Sequence, residues 1–130
     1  MANITTSKKD FKYFCARVKY YIKEFGLGDY EINFDHKDFA DEGEPLCNAI
    51  AGVRENSSSK AATFLLNKDW SDNEPPTEAS LERCAIHEVG HLLLCDYYFC
   101  AINRFGVTTD QITTIEHAVI RRLENFILER

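Results

Sequence analysis

At 130 residues the chain has room for one domain, 1–130, with a core that needs no covalent staples. A formal net charge of −6 with no basic stripe argues against non-specific nucleic-acid binding. No apolar run approaches the ~20 residues that span a bilayer, so no membrane partner is expected.

Ser7 with Asp10 is close to a capping box and opens a first helix. Phe11, Phe14, Cys15, Val18, Tyr21, Ile22 and Phe25 then fall on one helical face, and Gly26 and Gly28 end it. Residues 30–34 alternate and predict a strand. The acidic stretch 35–44, closed by Pro45, predicts irregular structure, with His36 as a solvated loop residue. A second strand near 48–53 and a third at 61–66 flank the polar Asn56-Ser57-Ser58-Ser59, which reads as a hairpin. After a stiff linker over 69–76, Thr77 caps a helix expected to run to about Arg104, with Gly106 as its stop. Thr108 with Gln111 opens a last helix that continues almost to the carboxyl end. The first nine residues lack the apolar stretch of a signal peptide. Five cysteines, an odd number without a CxxC pair, make a disulfide framework unexpected. A reducing, cytoplasmic setting fits that usage.

Within the helix after Thr77 stands His87-Glu88-x-x-His91. Residues four apart share a helical face with Cβ atoms ~5–6 Å apart, so two imidazoles can address one zinc ion. Glu88 projects to the side, placed to reach a water without being a ligand. The apolar flanks Ala85, Ile86, Val89, Leu92, Leu93 and Leu94 predict a buried helix, in which two histidines and a glutamate need a partner. Gly90 costs up to ~1 kcal/mol relative to alanine inside a helix, which suggests close approach by another backbone. Cys84 and Cys95 lie on nearly the same side as the histidines. A closed, structural zinc site of all four is a rival, but a straight helix spreads them over three turns, beyond the reach of one tetrahedral ion, and buried thiols are the simpler account.

The last helix offers a third ligand. Ile112, Ile115, Val119, Leu123, Phe126 and Ile127 form an apolar face, and Glu116 falls about 40° from Ile112 on the wheel. A carboxylate aimed into a core needs neutralising, and a metal would do so. His117, near the edge of that face, is the rival ligand, and an ion pair with Arg121 or Arg83 is the alternative fate of Glu116.

His87-Glu88-x-x-His91 followed some 25 residues later by a glutamate on another helix resembles the gluzincin arrangement of zinc peptidases. The order of elements is similar to the minigluzincins and to the peptidase domain of the ImmA/IrrE group. The surroundings of Glu116 differ from the Asn-Glu-x-x-Ser-Asp of larger gluzincins. SprT-like proteases share the HExxH core but tend to use a third histidine, which would favour His117. The resemblance implies an α+β, zincin-like fold: an amino-terminal helix, a small three-stranded sheet, the helix carrying HExxH, and a carboxyl-terminal helix supplying the third ligand. It implies a zinc metalloendopeptidase with one Zn2+ per chain on His87, His91 and Glu116, and Glu88 as general base, acting on a peptide or protein substrate. Tyr98 and His117 are candidate donors to the carbonyl oxygen, and an edge strand around Thr63 to Leu66 is the candidate substrate platform. A non-catalytic, zinc-binding regulatory protein that keeps the fold is the alternative.

Overall fold

The computed structural model describes residues 3–43, 46, 49–71 and 73–128. The architecture is α+β, with helices α1 (Lys8–Glu24), α2 (Glu78–Leu93), α3 (Cys95–Ile102) and α4 (Thr109–Leu128) and strands β1 (Glu31–Lys37), β2 (Ala51–Asn56) and β3 (Ala61–Asn67). The sheet is mixed, ordered β1-β3-β2. β1 runs parallel to β3, and β2 pairs antiparallel with β3 through the expected hairpin. Among the described residues no helix is long and apolar enough to cross a membrane.

The caps read from the sequence form. Ser7 and Asp10 close a reciprocal box at the start of α1, Thr77 and Ser80 do so for α2, and Thr108 and Gln111 for α4. Gly26, at φ 68°, supplies the left-handed residue just after α1. One face of the sheet carries the core. Ala62, Phe64 and Leu66 of β3 pack with Phe14, Val18 and Ile22 of α1 and with Leu81, Ala85, Val89 and Leu92 of α2. Register places Ala51, Val53 and Glu55 of β2 opposite Leu66, Phe64 and Ala62, so all three belong to this helix-facing side.

Several expectations are corrected. β3 is the central strand, paired on both edges, so Thr63–Leu66 is not an edge platform; β1 and β2 are the outer strands. β1 continues through Lys37, which puts His36 in a strand. Its ring stacks on Phe11 with centroids 4.7 Å apart and lies 2.7 Å from Thr6 Oγ1. The β2 strand is Ala51–Asn56, shifted from the expected 48–53; Asn48, Pro45 and Cys47 lie outside the described residues. The helix expected to reach Arg104 is interrupted at Leu94 (φ −100°, ψ 4°), and α3 starts afresh. No proline or glycine marks that break.

Candidate metal centre

The helix bearing the motif is buried on one side only. Leu81, Ala85, Glu88, Val89, Leu92 and Leu93 face the core, whereas Ile86, His87, His91 and Leu94 are exposed. The expectation of a helix buried all round, histidines included, is thus replaced by a division of roles. Glu88 is the buried member, at 7% exposure, and the two imidazoles open onto a cleft. Helical spacing produces this directly: Glu88 is 100° from His87, on the side where Ala85 and Val89 anchor α2 to the sheet.

The two Nε2 atoms are 3.2 Å apart, with the rings edge to face. Two nitrogens at ~2.0–2.1 Å from one tetrahedral ion would stand roughly 3.3–3.4 Å apart, so the pair already has the spacing of a shared cation. His87, Glu88 and His91 place their ligand atoms within 4.8 Å of one another. The residues present therefore fit a divalent metal. Burial holds the Glu88 carboxyl above its ordinary range; His91 opposes that rise and Glu55 adds to it.

The cleft has a volume of about 650 Å³ and runs between α2 and β2. His87, Glu88 and His91 form one wall, and Ala51, Val53 and Glu55 form the other. Glu55 is the site residue missed from the sequence. Its signal was present: alternation carried two residues past Val53 puts a carboxylate on the same face as Ala51 and Val53. Ending the strand at 53 hid it. Leu46 also lines the cleft, and a Cβ on Gly52 would collide with its Cδ2, so glycine at 52 accommodates that side chain.

Glu116 is not brought into the group. It is exposed on α4 and lies beside Tyr97, whose hydroxyl pKa is raised by burial and then by this carboxylate. His117 is exposed as well. A buried Glu116 would need the apolar face of α4 to be fully covered. In the structure Val119 is the buried residue of α4, Ile112 and Leu123 are partly open, and the helix packs on α3 and, through Phe126, on Phe25. Tyr98, beyond the break at Leu94, is 64% exposed and does not line the cleft.

Cys84 borders the cleft, with its thiol pushed up to about 11 by burial. Cys95 is buried elsewhere, 3.0 Å from the Tyr30 hydroxyl, so the two thiols and two histidines do not converge. Among the described residues Cys15, Cys84, Cys95 and Cys100 are free. A Cβ at Gly90 would meet nothing within 4 Å, so no backbone presses on it and the expected close approach is absent. Comparison with family models, curated proteins and solved structures returns no match to this chain.

Proposed function

We propose that the chain is a zinc-dependent peptidase, with one ion held by His87 and His91 and with Glu88 as general base. The observation that carries this reading is a buried carboxylate of raised pKa beside two imidazoles at metal-sharing distance, in a cleft walled by an outer strand. Zinc would supply Lewis-acid polarisation of a peptide carbonyl and of the attacking water. Glu88 takes the proton of that water as it attacks and passes it to the departing nitrogen. A carboxyl whose pKa lies closer to the working pH does this better than an ordinary glutamate. The chain walls off the other side with the apolar Ala51 and Val53, which reduces competing water.

The outer edge of β2, in place of Thr63–Leu66, is the surface to which an extended peptide would add by main-chain hydrogen bonds. Glu116 is proposed as the third ligand on the strength of the sequence resemblance, a role that requires its carboxylate to leave the side of Tyr97.

The test is metal analysis of the purified chain, together with casein cleavage or self-cleavage by wild type and Glu88→Gln. One zinc per chain in both, with cleavage in the wild type alone, is expected. Full activity in Glu88→Gln, or no metal after purification without chelator, removes the proposal. Metal without turnover in either protein favours the non-catalytic regulatory alternative.

A further inference from the structure

Glu55 sits on the cleft wall opposite the histidines, yet it is not among the atoms that converge on the metal position. Its face of β2 is otherwise apolar on the cleft side, where Ala51 and Val53 precede it. The carboxylate is half-buried, and the cations nearest to it in sequence are committed elsewhere. Arg54 points to the opposite face of the sheet and pairs with Glu42, while Lys60, across the hairpin, lies 3.6 Å from Asp96. Among the described residues no lysine or arginine is ion-paired with Glu55. Across the cleft it faces His91 and Glu88. A partly desolvated carboxylate in that position is costly unless something in the cleft supplies positive charge.

The metal position accounts for Glu88 and the two histidines but leaves Glu55 facing open volume. Arg83, a cation on the cleft wall, is on α2 one turn before His87, whereas Glu55 lies on the β2 wall across from His91. A peptide added to β2 would run past Glu55, within reach of a charged end or side chain.

We propose that Glu55 anchors an ammonium group of the substrate, an α-amino terminus or a lysine side chain, and so sets which peptides the cleft accepts. This rests on the peptidase reading above. Glu55 is here a specificity-determining residue and takes no part in the proton transfers assigned to Glu88.

The test uses zinc-loaded full chain and alanine-rich peptides carrying a carboxyl-terminal fluorescein. One pair has a free or an acetylated amino terminus; a second, acetylated set carries a single lysine or norleucine at successive positions. Binding is read by fluorescence anisotropy in the Glu88→Gln background and cleavage in the wild type. The expected result is about tenfold or greater preference for one cationic peptide over its neutral counterpart, the size of a charge-assisted contact. Glu55→Gln, of nearly the same shape, should reduce that preference to within about twofold, and Glu55→Asp, which keeps the charge, should retain most of it. A preference in the amino-terminal pair alone identifies the terminus as the anchored group; one in the lysine set alone identifies the side chain. Equal binding of neutral and cationic peptides overturns the assignment, as does a preference that survives Glu55→Gln. Cleavage without charge preference would remove this assignment and leave the peptidase standing. Charge-selective binding without any cleavage would do the reverse.

Discussion

His87 Nε2 and His91 Nε2 stand 3.2 Å apart on successive turns of α2, close to the separation that a single cation imposes on two nitrogens. The two imidazoles then need little rearrangement on binding, and the ion should act as a stabilising ligand of the native state. Adding zinc to chelator-stripped protein should raise its melting temperature. At a hundredfold excess over Kd the gain is about 2.7 kcal/mol. His91→Ala should show no such rise. A melting curve indifferent to zinc in the wild type would show that the pair does not hold the ion.

The third ligand can be separated from its rival by affinity. Glu116→Ala should weaken zinc binding by more than the roughly 10–100-fold that losing a supporting partner costs, while His117→Ala should change it little. Competition with a chromophoric chelator measures both. The opposite ranking would assign the ligand to His117.

His36 makes stability depend on pH. Burial, with a smaller contribution from Lys68, lowers its pKa from the ordinary 6.5, against the opposing Asp10 and Asp35. The unfolded chain therefore binds the proton more readily than the folded one. The stabilisation is complete above about pH 6.5 and is lost as pH falls through the lowered folded value. Thermal melts of metal-free protein between about pH 7.5 and 5 should show this decline, with a shallower slope in His36→Gln. Parallel slopes for the two proteins would remove His36 as the cause.

Gly90 lies between the two histidines in sequence with open space where a Cβ would go. Gly90→Ala should stabilise the metal-free protein by about 0.5–1 kcal/mol through the loss of unfolded-state freedom. Chemical denaturation checks the sign; a loss of stability would mean that the site is tighter than its geometry shows.

Asn67 ties three stretches of chain together. Its Oδ1 accepts from the N–H groups of Phe39 and Asp69, at 3.2 and 3.0 Å, and its Nδ2 donates to Ala49 O at 2.9 Å. Ala49 belongs to the segment that lines the cleft before β2. Asn67→Ala leaves these groups without their partner and should cost about 2–4 kcal/mol in urea denaturation. A loss under about 0.5 kcal/mol would show that water replaces the side chain.

The local code of this chain was legible because its signals act over three or four residues. Ser7/Asp10, Thr77 and Thr108/Gln111 mark helix starts by satisfying nearby N–H groups, and each does so in the structure. The His87/His91 pair belongs to the same class, since helix geometry alone sets its spacing. Tertiary packing decided what lay beyond that range. Which strand is central, where α2 breaks, and how much of α4 is covered depend on contacts between segments far apart in sequence. For that reason Thr63–Leu66 proved interior, Tyr98 was carried away from the cleft, and Glu116 stayed exposed. The same packing set Glu55 across from the histidines. Alternation names the face a strand residue occupies, and only the assembled sheet and helix reveal what stands opposite it.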